Sequence, residues 1–363
     1  MSDHPSPATT GTSAMAVTAT LTVAEVSSQA AAVLDRVETA VVGKRQALTL
    51  VLCGILARGH VLLEDFPGLG KTLAARSFAQ SLGLEFTRAQ FTPDLLPADL
   101  TGAFVYDQKA GEFEFRKGPL FTGLLLADEI NRTPPKTQSA LLEAMQEHQV
   151  TVEGETFLLT EPFHVLATAN PVEYEGTYPL PEAQLDRFLL RISFGYPTED
   201  EEHDVLTRRV SRQTEDQHLE PVTDAAGLLA MQLAIETVPV EEDISRYCVA
   251  LASATRRHRA VQVGASPRGS LALMLTARAH AVVKQRDYIT PEDVKAVAHA
   301  VLDHRISIKP ELWMSDLGGA GVVEAVLAET PVPSARQLSG AQTAQGGQPV
   351  SGDGQGTGAQ RGA

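Results

Sequence analysis

Residues 60–80, HVLLEDFPGLGKTLAARSFAQ, set a short apolar run directly against a Gly/Pro turn and a helix-forming segment. Few folds accommodate that order. A strand that turns through glycines into a helix leaves the first N–H groups of the helix facing outward, and such a turn cradles phosphate through those groups. In the pattern G-x-x-x-x-G-K-[ST], a lysine also reaches the terminal phosphates and a hydroxyl binds magnesium. Gly68, Gly70, Lys71 and Thr72 supply these parts, but Asp65 stands where the first glycine belongs. A carboxylate facing the phosphates would repel them. At the strand end, ahead of the turn set by Pro67, it need not face them. From the loop alone, a plain strand–turn–helix junction stays open.

Two more apolar runs, GLLLADE (123–129) and FHVLATAN (163–170), end like VLLE (61–64) in polar or turn residues. Short apolar runs alternating with helical segments predict a buried parallel sheet with crossover helices, its ligands lying beyond the carboxyl ends of the strands. Past Thr198 the strand signals fade and helical periodicity takes over. In ITPEDVKAVAHAVLDHRI, Thr290 can cap, Pro291 suits the first helical position and Asp293 can complete a capping box. Val294, Val297, Ala298, Val301 and Leu302 then form one apolar face. The expected organisation is a nucleotide-binding core over residues 21–197 and a helical domain over 198–332. Tails at 1–20 and 333–363 are expected to be disordered, because they hold almost nothing large and apolar to pack.

Composition narrows the functional classes. Lys and Arg number 30 against 45 Asp and Glu, a net charge of −15, so no general attraction for nucleic acid or an anionic membrane is expected. The apolar stretch Leu48–Ala57 is too short to span a bilayer, and MSDHPSPATT lacks a secretory pattern, so a cytoplasmic protein without membrane insertion is the expectation. Cys53 and Cys248 sit in apolar segments and read as buried reduced thiols. His60, His148 and His164 have no partners at metal or triad spacing, and there is neither a serine elbow nor an H-E-x-x-H motif.

Downstream of the loop, the strand LLLAD ends in Asp128, with Glu129 next to it. Adjacent carboxylates at a strand end divide two jobs: Asp128 would hold magnesium through its water shell, and Glu129 would orient and deprotonate an attacking water. In HVLATANP, Asn170 ends the third run, where a neutral amide can bond both that water and the terminal phosphate. Alone, Asn-Pro is a turn signal. The order of the three motifs gives it weight.

In sequence order, VVGKRQAL, GHVLLEDFPGLGKT, QFTPDLLPADLTG, GPLFTGLLLADEINRTPPKTQSALLEAMQE, ATANPVEYEGTYPLPEAQLDRFLLRI and ASPRGSL resemble the AAA+ ATPases, specifically the MoxR group, over residues 23–330 or so. The resemblance implies an α/β P-loop core, a parallel sheet sandwiched by helices, followed by a small all-α lid domain. It implies ATP and Mg2+ as cofactors, with ATP between core and lid and hydrolysis moving one against the other. Val42 and Gly43 match the segment that touches adenine. Pro67, Gly68, Leu69, Gly70, Lys71, Thr72 and Leu73 match Walker A; Asp128 and Glu129 match Walker B, with Thr72 and Asp128 toward the metal. Asn170 matches sensor 1, Arg187 the arginine finger that reaches a neighbouring subunit's ATP, and Arg268 sensor 2. Arg191 is an alternative finger, one turn from Arg187 if that segment is helical. The resemblance further implies a homo-oligomeric ring, a hexamer, that remodels protein complexes, with a protein client or a partner bearing a von Willebrand factor type A domain.

Two stretches read as hairpins: HQVTVEGETFLLT (148–160) around Glu153–Gly154–Glu155, and the DQKAGEF turn within residues 92–120. The family carries insertions at both places. A nucleic-acid motor, the alternative function, would need Lys or Arg at the first tip, which reads Glu-Gly-Glu. A nucleotide-dependent scaffold without turnover is the other alternative, and the intact Asp128, Glu129, Asn170 and Arg187 set speaks against it.

Overall fold

A computed structural model describes residues 21–171, 176–214, 217–312 and 318–333; the expected tails at 1–20 and beyond residue 333 lie outside the described residues. In chain order the first part contains α1 (Val23–Glu38), α2 (Arg45–Leu56), β1 (Val61–Glu64), α3 (Lys71–Ser81), β2 (Phe86–Gln90), α4 (Pro97–Thr101), β3 (Gly102–Asp107), β4 (Glu112–Lys117) and β5 (Leu124–Asp128). It continues through α5 (Pro135–Glu147), β6 (Gln149–Val152), β7 (Glu155–Leu158), β8 (His164–Ala169), α6 (Glu182–Leu185) and β9 (Leu190–Ile192). The second part contains α7 (Glu199–Arg212), α8 (Ala225–Glu236), α9 (Glu242–Arg257), β10 (Val261–Val263), α10 (Pro267–Val283), α11 (Pro291–Leu302), β11 (Ser307–Ile308) and α12 (Gly319–Glu329).

Five strands form a parallel sheet in the order β2-β5-β8-β1-β9. The three apolar runs become its inner strands, where neighbours on both sides and helices on both faces leave room only for apolar side chains. Alternation sorts them. Val61, Leu63, Leu124, Leu126 and Leu166 pack under α1, α2 and α3, while Leu62, Leu125, Ala127, Val165 and Ala167 pack against Leu141, Leu142 and Met145 of α5. The register brings the carboxyl ends flush: Glu64 lies beside Ala169, and Gln90 beside Asp128. Both edge strands are short and carry polar residues, Arg88 and Gln90 on β2 and Arg191 on β9. The segment that would have put Arg191 one helical turn from Arg187 is therefore extended, not helical.

The two expected hairpins are present as β3–β4 and β6–β7, each a separate antiparallel ladder. They lean on one another through stacked Phe115 and Phe157, whose ring centroids are 4.0 Å apart. Glu153 and Gly154 both take positive φ, as a tight two-residue turn requires.

Among the described residues, the second part is helical apart from the small β10–β11 ladder. Thr290 caps α11 through the expected reciprocal box with Asp293. Asp293 is fully buried; burial would raise its pKa, but bonds from Arg286, His280 and Thr290 outweigh this and hold the carboxylate well below its ordinary range. These helices do not stand apart from the sheet. Leu228 and Met231 of α8, and Leu273, Ala277 and Val282 of α10, belong to the same apolar core as Val33 of α1, Leu52 of α2 and Leu63 of β1.

Candidate active site

The loop leaving β1 answers the question its sequence raised. Asp65 is buried, and its carboxylate turns away from the helix to accept bonds from Ser193 Oγ at 2.6 Å, Gly195 N–H at 3.2 Å and Phe194 N–H. It ties the base of the loop to the chain leaving β9. Its carbonyl, not its carboxylate, meets Lys71, whose Nζ donates to it at 2.6 Å. Gly68 and Gly70 stand at φ 82° and 83°, where a side chain would be strained although nothing would crowd it. Gly70 begins α3 with no side-chain cap, so the first N–H groups of that helix point into the cleft beyond. Half-buried Lys71 sits there; burial lowers its pKa against the pull of Asp65, Asp128, Glu129 and Glu64.

That cleft, about 350 Å³, is lined on the loop side by Pro67, Gly68, Gly70, Lys71, Thr72 and Leu73, and on the sheet side by Asp128, Glu129, Thr168 and Asn170. Leu69 is half-buried and does not line it. Thr168 at the end of β8 organises the acidic pair: its hydroxyl donates to Asp128 Oδ1 at 2.6 Å and accepts from Glu129 N–H at 2.8 Å. Strand β2 supplies two further partners. Arg88 forks onto Asp128 Oδ2 at 3.0 and 2.6 Å, and Gln90 donates to Glu129 Oε2 at 2.8 Å, which also pairs with Arg132 at 3.1 Å. Glu129 stands at φ 59°, a left-handed conformation that costs roughly 1–2 kcal/mol and aims its carboxylate at the cleft rim. Thr168, Arg88, Gln90 and Arg132 were not anticipated. Recognising β2 as the strand beside β5 would have put Gln90 opposite Asp128.

Val42 and Gly43 lie outside this cleft. Gly43 lines a neighbouring one of about 500 Å³ with Lys44, Glu64, Arg191 and Phe194. At φ 71° a side chain there would be strained, and the Glu201 carboxyl of α7 lies where its Cβ would go. Arg191 is paired with Glu64 at 3.2 Å, away from Arg187. Thr72 and Asp128, a hydroxyl and a carboxylate in one cleft at an uncapped helix start, fit Mg2+, which takes few protein oxygens and keeps several waters.

Arg187 and Arg268 do not reach the phosphate cleft. They share another, of about 310 Å³, none of whose lining residues belongs to the first. Ser266, the cap of α10, donates to Asp186 Oδ2 at 3.2 Å, which ties the segment two residues before Arg268 to the neighbour of Arg187. Asp186 is fixed in turn by buried Arg305, whose Nε lies 2.8 Å from Oδ1. Arg268, matched to sensor 2, thus lies beside Arg187 at the start of α10, a helix packed on α1 and α2.

A parallel P-loop sheet with Lys71, Asp128 and Asn170 at its carboxyl edge, followed by a helical lid, defines an AAA+ ATPase. Residues 60–190 match the ATPase family associated with various cellular activities (AAA), and residues 253–320 the AAA lid domain. The chain is 48% identical over 303 residues to the uncharacterized protein YeaC of Bacillus subtilis, covering 84% of this chain and 94% of that protein. It is 41% identical over 306 residues to Chaperone MoxR1 of Mycobacterium tuberculosis, covering 82% and 80%. The structure of a putative ATPase from Cytophaga hutchinsonii superposes with a TM-score of 0.80 at 40% identity, covering 86% of this chain and 97% of that one. The chain belongs to the MoxR family of AAA+ ATPases.

Proposed function

We propose that the chain hydrolyses ATP with magnesium, that its active sites are completed between neighbouring copies of a ring, six in number, and that turnover remodels or matures protein complexes. The single observation that carries this reading is the separation of two half-sites within one chain: Lys71, Asp128, Glu129 and Asn170 line one cleft, Arg187 and Arg268 another. Neither half suffices alone.

The chemistry follows from the residues. The free N–H groups of α3 and Lys71 bind the phosphates, with Val42 and Gly43 toward the base. Glu129 orients the attacking water and takes its proton, and Asn170 bonds the water and the terminal phosphate without adding charge. Magnesium held by Thr72 and Asp128 would neutralise charge between the outer phosphates. Arg187 and Arg268 of the adjoining copy meet the charge that spreads over the transferring group, worth roughly 10³ to 10⁵ in rate for an arginine finger.

The chaperone role rests on the name of the Mycobacterium relative and on the family, as does the expectation of a protein client or a von Willebrand factor type A partner. A cytoplasmic location belongs to the same reading; among the described residues no helix is long and apolar enough to cross a membrane. Against a nucleic-acid motor stands the β6–β7 tip, where exposed Glu153 and Glu155 would repel a phosphate backbone.

The test is the ATPase rate per subunit against protein concentration, with sedimentation run alongside in the presence and absence of ATP. The rate should collapse as assemblies dissociate. A rate per subunit that survives dilution into monomers would overturn hydrolysis between copies.

A further inference from the structure

The cleft that holds Arg187 and Arg268 is also lined by Arg58, in the turn between α2 and β1. In a chain with 45 acidic residues against 30 basic, four arginines line one small cleft, and three of them, Arg58, Arg187 and Arg268, have guanidinium groups with no hydrogen-bond or ion-pair partner among the described residues. Arg305, Arg191 and Arg278, by contrast, are each paired with a carboxylate.

The backbone gives a second, independent observation. The helix ends with Gly59 N–H returning to Gly54 C=O at 2.8 Å, which puts Arg58 in the left-handed position at φ 57°. Glycine is at ease there and arginine is not. Gly54 and Gly59 flank the turn, and each lies so close to its neighbours, Val61 and Leu189, that no side chain fits. The turn is thus pinned by two glycines while the strained position between them carries a long cation aimed at the cleft.

We propose that Arg58 is a third cation delivered to the phosphates of the nucleotide on a neighbouring copy, beside Arg187 and Arg268. This rests on the between-copies reading above. The test is Arg58→Gly, which relieves the strained position and leaves the chain's own loop untouched. Its melting temperature should not fall, and a fluorescent ATP analogue should bind dilute protein with unchanged affinity. ATPase activity in the assembled state should drop roughly 10- to 100-fold, as loss of a charge-assisted bond implies. Mixing it with Lys71→Ala copies, which keep Arg58 but lack the lysine that grips nucleotide, should yield more turnover than the two pools apart. Undiminished turnover by Arg58→Gly, or a loss that mixing does not relieve, overturns the proposal. The same mixture made with Arg187→Ala separates the two readings: no recovery there sinks hydrolysis between copies, whereas recovery there without recovery for Arg58→Gly sinks only the role of Arg58.

Discussion

Asp65 is a buried acid with three donors turned toward it, Ser193 Oγ and the N–H groups of Phe194 and Gly195. Asp65→Gly, which would restore the common loop pattern, therefore strips those donors of their acceptor. It should lower stability by roughly 1–3 kcal/mol, the cost of orphaning the one buried donor, Phe194 N–H, because exposed Ser193 and half-buried Gly195 can turn to water. Urea unfolding measures this, and an unshifted midpoint would mean the donors find other acceptors. The sequence displayed the anomaly but not its resolution, because the partners of Asp65 lie about 130 residues further on. Glu129 is the converse case, legible from its neighbours in sequence and its position after a strand. Glu129→Gln keeps the shape and removes the base, so ATP should bind with near-normal affinity while hydrolysis falls by about 10² or more. Filter binding and phosphate release check both halves, and equal release from variant and wild type would take Glu129 out of that role. The same variant, holding ATP, suits a pull-down for the client.

At the scale of elements, β1, β5 and β8 were readable as apolar runs, and both hairpins from their turn residues, whereas β2 and β9 were not. FTRAQ and LRI are short edge strands with one polar flank, so neither alternation nor an apolar run marks them. What β2 concealed is functional: Gln90 holds Glu129, and Arg88 holds Asp128. Gln90→Ala frees the Glu129 carboxylate from one of its two partners among the described residues and should raise basal turnover by up to about tenfold, the worth of one such bond. Steady-state ATPase at saturating ATP decides it, and an unchanged or lower rate would mean that Gln90 positions the base rather than restrains it. The strand starts carry a pH dependence. Burial pushes His60 down to about 3 and His164 to about 4. Each ring is fully bonded in its neutral form: His60 donates to Met145 C=O and accepts from Val165 N–H, and His164 donates to Gly59 C=O and accepts from Gln232. A second proton would set donor against donor. Below about pH 6.5 the unfolded chain takes up protons that the folded one refuses, so this stability is complete above that pH and declines as acid is added toward pH 4. The loss is on the order of 3 kcal/mol for His164 alone. Denaturant midpoints at about pH 7.5 and about pH 5 test it; equal midpoints would show that the rings accept protons without unfolding.

For the whole molecule, the decisive fact is the path of the apolar core. It runs without a break from β1 and β5 through α1 and α2 into α8 and α10, so sliding the helical part against the sheet within one chain would expose Val33, Leu52, Leu273 and Ala277 together. At about 25 cal/mol per Å² of apolar surface, parting two such helix faces outweighs what a modest nucleotide-driven shift can supply. Motion coupled to hydrolysis should instead fall between copies, where the proposed assembly brings Arg187 and Arg268 of one chain to the loop of the next. Spin labels can distinguish the two. Cys53 and Cys248 are buried, their thiols pushed up to about 12 by burial, so neither competes for label. One labelled pair, at exposed Ala32 on α1 and Val249 on α9, should keep its separation within about 2 Å whether ATP, ADP or nothing is bound. A pair made by labelling Leu73 on one copy and Leu271 on its neighbour, both exposed beside the two half-sites, should change its separation with the nucleotide. A shift of about 5 Å or more within the chain, with the pair between copies fixed, would mean that the continuous core yields and that the lid is the moving part.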